Sequence, residues 1–419
     1  MGIGLLALAG MMPGVLTGGE MIEASWSKAP VGKEPIAEIP DAEPWIKPTA
    51  DVRFRYEYGD QEGRRPSNAL TARGRFGLLT KKVSGFQLFA EYEGTLTPER
   101  EWYRGASVNG PADRTVIADP PSHELNQLWL SFDGIEGINS KVGRQGINID
   151  NQRYIGTVAW RQNMQTFDAA GLTLSPFEDF EIYYAFINRV ERIFGSGDIR
   201  NPAQTDFTGN SHVVHLAYGG LPFGTLKVFA YFLDLHNRAG DANSNNSFGA
   251  SLTGPLFLED LSYYLEYGYQ TNAFDSPLDY SANYFHAVLT QGGILDAFTG
   301  TVGYEYLGSD NGVGYKFPLA TLHKFNGFAD VFLSTPPDGL QDVYVTLGTK
   351  KLPWGIGLTG FYHFFFNDSG DKLGGEIDVV LTKDLPYGLK FLAKYANFKS
   401  DDPRFRDIQR ATAQVEWKY

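Results

Sequence analysis

From Asp51 to the last residue the chain alternates apolar and polar positions with a period of two. In "DVRFRYEY", Val52, Phe54, Tyr56 and Tyr58 share one face, and Asp51, Arg53, Arg55 and Glu57 share the other. "LTARGRFGL" sets Leu70, Ala72, Gly74, Phe76 and Leu78 against Thr71, Arg73 and Arg75. The pattern returns in "LSYYLEYGYQ" (261–270), "LGGEIDVVLT" (373–382), "LKFLAKYA" (389–396) and the terminal "RATAQVEWKY" (410–419). Such alternation predicts β-strands whose two faces meet different environments. No amphipathic helix of useful length is expected, and no apolar run reaches the length of a membrane-spanning helix.

A soluble sandwich would alternate too, so the connections decide. Tight Gly- and Pro-rich links (81–85, 133–137, 175–179, 219–224, 254–260, 291–296, 351–355 and 383–388) alternate with long polar ones (96–122, 192–210, 237–245, 271–280 and 309–339). Short turns at one end and long loops at the other are the mark of an up-and-down transmembrane antiparallel β-barrel. Counting round it gives about 18 strands, from near Thr49 to Tyr419. The expected spans are 49–58, 69–81, 86–95, 123–133, 139–147, 164–175, 179–191, 211–220, 225–236, 245–254, 260–270, 281–292, 296–308, 340–350, 355–367, 371–383, 387–399 and 407–419. Alternation is weakest at 139–147 and 164–175. Hydrocarbon tolerates no unpaired strand edge, so the last strand must close against the first. Tyr58, Tyr269, Tyr395, Trp417 and Tyr419 are then candidates for the membrane-interface girdle, and the terminal aromatic resembles the C-terminal signal of bacterial outer-membrane proteins.

Upstream, residues 1–24 read as a leader segment, with an apolar stretch over Ile3 to Val15 of signal-peptide length. Residues 25–48 read as a Pro-rich periplasmic arm, carrying Pro30, Pro35, Pro40, Pro44 and Pro48, and 49–419 as the barrel. The 23 Tyr, 30 Phe and 48 Gly suit aromatic-belted strands joined by tight turns. The absence of Cys excludes disulfides and thiolate metal sites and fits an oxidising compartment. A net charge of −13 with no basic stripe argues against nucleic acid as a partner.

A barrel this wide is not filled by its own side chains, so its interior is expected to be an aqueous channel narrowed by loops. Arg53, Arg55, Arg73 and Arg75 on the first two strands face Glu91 and Glu93 on the third. Two readings stand: a salt-bridge ladder that stiffens the wall, and a basic track that guides anions. Glu266, Glu305, Glu376 and Asp378 are further inward acids. A carboxylate pair could serve a glycosidase, but lone inward acids are ordinary for a lumen wall, and no nucleophile elbow, phosphate loop or H-E-x-x-H pattern is present. The seven His are scattered, and "HVVH" (212–215) puts its two imidazoles on opposite faces of a strand. No enzyme, cofactor or metal site is expected; acidic stretches such as "NDSGD" (367–371) are solvated or bridge lipopolysaccharide through a cation.

The stretch "KVGRQGINIDNQRYIGTVAWRQNMQTFDAAGLTL" is the most distinctive. Its elements "GRQ" (143–145), "DNQRYIG" (150–156) and "WRQNMQTFDA" (160–169) resemble the signature of the bacterial alginate export porins. "HKFNGFADVFLSTPPDGLQDVY" (323–344) and "YHFFF" followed by "LGGEID" (373–378) are similar too. The resemblance implies an outer-membrane porin with a constriction built mostly of Arg that accepts acidic sugars, and pore roles for Arg144, Arg153, Arg161 and Asp168. The expected partners are outer-membrane lipid and lipopolysaccharide and small anionic or sugar solutes, for a monomer or a homotrimer. The rival reading is a plugged barrel that serves as an envelope anchor or as the membrane part of a larger assembly. A soluble all-β carbohydrate-binding protein is a third.

Overall fold

The computed structural model describes residues 44–106, 109–195 and 199–419. The leader, and the Pro-rich arm up to residue 43, lie outside them. Twenty strands follow in order: β1 Ile46–Gln61, β2 Ser67–Thr80, β3 Phe86–Leu96, β4 Ser122–Ile135, β5 Ile138–Gln145, β6 Thr166–Phe177, β7 Phe180–Glu191, β8 Phe207–Leu221, β9 Gly224–Leu233 and β10 Asn245–Pro255. Then come β11 Leu261–Asn272, β12 Ser281–Ile294, β13 Phe298–Leu307, β14 Ser309–Asp310, β15 Val313–Gly314, β16 Leu340–Leu352, β17 Ile356–Phe366, β18 Lys372–Asp384, β19 Leu389–Ser400 and β20 Ile408–Lys418. β14 and β15 form a two-residue ladder of their own, and the rest make one 18-stranded sheet. Every neighbour in it is antiparallel and adjacent in sequence once that ladder is passed over, and β1 pairs β20 from Asp51↔Lys418 to Gln61↔Ile408. Tyr419 completes the seam: it exchanges main-chain hydrogen bonds with Ala50 at 2.8 and 3.1 Å. The sheet therefore has no free edge, which is what hydrocarbon requires.

The strand count and the alternation of turn lengths are as expected from the sequence. One boundary moves. β1 begins at Ile46, inside the segment read as an arm, and Pro48 pairs opposite Leu78. Its ring nitrogen shares the side of the Ala50 N–H, toward β20, which has ended at that level, so no ladder bond is lost.

The two faces are sorted as the alternation demands. Phe54, Leu70, Phe76, Leu78, Val142, Leu289 and Val302 are exposed on the outside of the wall, while Arg53, Arg55, Glu57, Thr71, Arg73 and Arg75 are buried on the inside. This inverts a soluble protein's arrangement: among the largest side chains with under 2% exposure are Arg55, Arg73 and Arg153. An apolar outer belt with a polar interior is the surface of a membrane-spanning barrel.

Candidate functional site

Two loops turn inward from the long-loop rim and occupy the lumen. The first, residues 146–165, begins where β5 stops after eight residues. Positive φ at Asp150 (49°), Gln152 (67°) and Val158 (51°) lets it bend sharply. The second lies within residues 315–339, before β16. They hold each other: Ile155 and Leu319 form a parallel bridge, and the Thr321 hydroxyl donates to Gln152 Oε1 (2.7 Å) and accepts from the Val158 N–H (3.1 Å). Tyr154 anchors the first loop in an aromatic cluster on β9 of the wall, with Phe229 and Tyr231 at ring distances of 4.7 and 5.4 Å. Its hydroxyl meets that of Tyr315, from the second loop, at 2.9 Å.

The wall charges are what the loops dock on. Arg53 donates to the carbonyls of Ala159 and Trp160 (3.1 Å each) and pairs with Glu416 at 3.2 Å. Arg55 pairs with Asp119 at 3.1 Å, donates to the Trp160 carbonyl at 2.5 Å, and lays its guanidinium 3.9 Å from the centroid of the Trp160 ring. Arg73 pairs with Asp51 and Arg75 with Glu93, while Glu91 accepts from Asn126 and Gln127. Glu266 accepts from the Tyr264 hydroxyl.

From the loops, Arg153 reaches Glu305 (2.8 Å) and Asn326 (2.9 Å) between the rings of Phe317 and Phe325. Arg161 reaches Glu57 (3.3 Å) and Asp330 (2.7 Å). Wall carboxylates also grip the tip of the second loop. Glu376 accepts the Ala329 N–H at 2.6 Å, Asp378 that of Phe328 at 3.3 Å, and Glu305 and Asp342 accept from the Asn326 amide at 2.7 and 3.2 Å.

The wall arginines thus form an internal ion-pair network rather than a track that faces channel water. Arg53, Arg55, Arg153, Arg161, Glu305, Glu376 and Asp378 are all 5% exposed or less, because the loops cover them. A buried charge must be paired: the four arginines and Glu305 are in ion pairs, Asp378 lies 3.7 Å from His363 Nε2, and Glu376 accepts a main-chain N–H. Arg144 and Asp168 call for a second correction. They pair with each other and with Leu128 in the register, on the side shared with exposed Val142, so they stand on the outer side of the wall rather than in the lumen. Arg144 bonds Asp168 (2.7 Å), Glu191 (2.7 Å) and the Leu125 carbonyl (3.3 Å). It thereby staples β4 to β6 and β7 at the level where β5 leaves the wall. In β6 an irregularity against β7 between Asp168 and Ala169 shifts the register, which fits the weak alternation of that strand.

Several contributors lie within the distinctive segments of the sequence, where no pattern singles them out. The Trp160 ring stacks on His323 at 4.7 Å and 3°. His323 Nδ1 donates to Asp330 at 2.6 Å, and its Nε2 accepts from Lys394 at 2.5 Å, which defines a neutral ring. Burial, against the pull of Asp330, pushes His323 down to about 3. Burial alone would raise Asp330, but its contacts with His323 and Arg161 outweigh that and hold it below the usual carboxylate range. Asp150 is likewise held low, burial being outweighed by His215 and Lys227. His215 faces inward to Asp150 (2.8 Å) and His212 outward to the Tyr184 hydroxyl (2.8 Å), the opposite-face placement expected of "HVVH". Tyr58, Tyr269, Tyr395, Trp417 and Tyr419 belong to the outward face. Tyr58 and Tyr395 flank Ala411 in one cross-strand row, and Trp417 stacks on Tyr419 at 6.0 Å.

The two loops separate a chamber on the short-turn side from cavities on the long-loop side. The first is about 830 Å³ and is rich in amides, with Lys82, Lys141 and Lys227 balanced by Asp133, Asp150 and Glu181. On the other side lie cavities of about 580 Å³ and 280 Å³. Their charged lining residues are Arg153, Arg192 and Lys316 in the larger, and Arg161, Arg404, Arg406, Arg410 and Asp330 in the smaller.

Residues 45–187 match the Alginate export family. Among solved structures, Acinetobacter baumannii OccAB4 is similar over 91% of this chain and 100% of its own, with a TM-score of 0.67 and 11% identity. Pseudomonas aeruginosa OccK11 (OpdR) covers 89% and 95%, with a TM-score of 0.65 and 15% identity. P. aeruginosa OpdK, solved with vanillate, covers 89% and 98%, with a TM-score of 0.67 and 12% identity. At these identities the likeness is one of fold. No curated protein matches the chain in sequence. The resemblance to the alginate export porins is borne out over residues 45–187, and the closed, apolar-belted barrel is built as an integral outer-membrane protein with the fold of these solved structures.

Proposed function

We propose that the barrel is a passive channel selective for small anionic solutes, acidic sugars among them, with the two joined loops as its constriction. The observation that supports this is the charge of the outer cavities. Their lining holds seven cationic side chains and one carboxylate; Arg153, Arg161, Arg404 and Arg410 are paired with carboxylates, which leaves Arg192, Lys316 and Arg406 without one among the described residues, in a chain whose net charge is −13. A cleft lined by one sign of charge between low-dielectric walls concentrates counter-ions, here anions arriving from outside. The role is conduction rather than catalysis. In planar bilayers under a KCl gradient the reversal potential is expected to show anion preference, and Arg404→Glu with Arg406→Glu to reduce it. Cation preference in the wild type overturns the reading.

The burial of the mid-lumen charges favours a second reading, a plugged barrel with a structural role. It predicts a silent wild type that conducts once residues 318–334 are replaced by a short linker. A conducting wild type excludes it.

A further inference from the structure

We propose that the 580 Å³ outer cavity is a binding site for a small amphiphilic carboxylate, an anionic group carried on an apolar ring, rather than for a polyhydroxylated sugar acid. The inference rests on the anion-channel reading and narrows it to one class of solute.

Two cations in this cavity have no carboxylate within ion-pair distance among the described residues. Arg192 follows β7 directly. It donates to the Ala203 carbonyl (2.6 Å) and lies 4.7 Å from the Phe207 ring centroid and 5.1 Å from that of Phe194. Asp206 attracts it, but that carboxylate pairs with Arg189 at 3.0 Å. Lys316 enters the second loop with its backbone N–H fixed by Gln270 Oε1 at 2.8 Å. Both side chains line the cavity, with Arg153 beside them already engaged by Glu305. Half-buried cations without a counter-ion favour an anionic ligand, and the planar guanidinium suits a carboxylate.

The rest of the lining decides the ligand's body. Phe207, Leu278, Leu307, Val313, Phe317 and Phe332 contribute apolar surface. The hydroxyls and amides are few, and two are engaged: Tyr315 with Tyr154, and Thr335 with the Tyr315 carbonyl. A sugar acid would bring several hydroxyls into a site with few partners for them, whereas an apolar ring is favoured by such walls. The volume falls within the ordinary range for small-molecule sites.

The test is equilibrium binding to the detergent-solubilised barrel, by calorimetry, with phenylacetate, glucuronate, acetate and benzyl alcohol. Phenylacetate is expected to bind at least tenfold more tightly than glucuronate or acetate. Arg192→Met with Lys316→Met is expected to weaken phenylacetate at least tenfold and leave benzyl alcohol unchanged. Lys316→Met alone serves if the double variant does not fold, and is expected to weaken phenylacetate at least threefold. Glucuronate binding as tightly as phenylacetate, or phenylacetate affinity unmoved by the variants, overturns the proposal. Anion-selective conductance without phenylacetate binding fails this inference alone. Phenylacetate binding to a cation-selective channel fails the channel reading alone.

Discussion

Gly327 sits at the tip of the second loop with φ of +84°, and a Cβ built there would lie 2.4 Å from Glu376 Cδ and 2.5 Å from both carboxylate oxygens. Gly327→Ala therefore strains the backbone and collides with the carboxylate that holds the loop. The left-handed conformation costs a non-glycine residue about 1–2 kcal/mol. To clear the methyl, Glu376 must give up the Ala329 N–H, and such a hydrogen bond is worth about 0.5–1.5 kcal/mol. Together the docked loop loses about 1.5–3.5 kcal/mol, roughly one to two and a half decades in the ratio of docked to undocked forms. The barrel itself is untouched, because Gly327 belongs to no strand. Single-channel recording should show a higher open probability, while heat-modifiable migration on gels stays that of the wild type. If the variant gates like the wild type, the carboxylate grip on residues 326–329 is not what holds the loop in the lumen.

Two further perturbations address the same lock. His323 is held near 3 when docked, against about 6.5 when released, so its contribution is fully present above pH 6.5 and is lost as pH falls toward 3. Between pH 7 and pH 5 docking should weaken by about 2 kcal/mol, seen as a roughly thirtyfold rise in the ratio of open to closed time. His323→Gln should flatten that dependence; an unchanged pH response in the variant refutes the assignment. Arg153→Met leaves Glu305 buried without its cation and should destabilise the docked loop by about 3–5 kcal/mol, measured as protease nicking within residues 315–339. Adding Glu305→Leu should restore most of the resistance, and a single variant as resistant as the wild type counts against the pairing.

The wall was legible because its physics is local. Val52, Phe54 and Tyr56 point one way and Arg53 and Arg55 the other whatever the rest of the chain does, and the strand period alone sorts them. Turn length separated the two rims for the same reason. Legibility failed first at β5 and β6, where the alternation is weak: the pore roles of Arg144 and Asp168 rest on the family resemblance alone, and the register turns both side chains outward. It failed again in the lumen, where nothing is local. Arg55 finds Gln414 at a separation of 359 residues and Trp160 at 105, and no window of sequence holds both partners.

The inner wall explains why the arginines misled. A barrel with lipid outside must turn its polar residues inward, so any loop that enters meets carboxylates, guanidinium groups and amides rather than an apolar core. Such a loop can dock only by supplying complementary charges and bare main-chain groups, as Arg153, Arg161, Asn326 and the amides of Phe328 and Ala329 do. Side chains that resemble a selectivity filter in the sequence are therefore also those best suited to hold a constriction in place. The distinction lies in partners: Arg53 and Arg55 are engaged by the first loop and by Glu416 and Asp119, whereas Arg192 and Lys316, which no strand pattern marks, face a cavity without a paired carboxylate among the described residues. On the channel reading proposed above, selectivity belongs to the cations left unpaired among the described residues, and the paired ones hold the constriction in place.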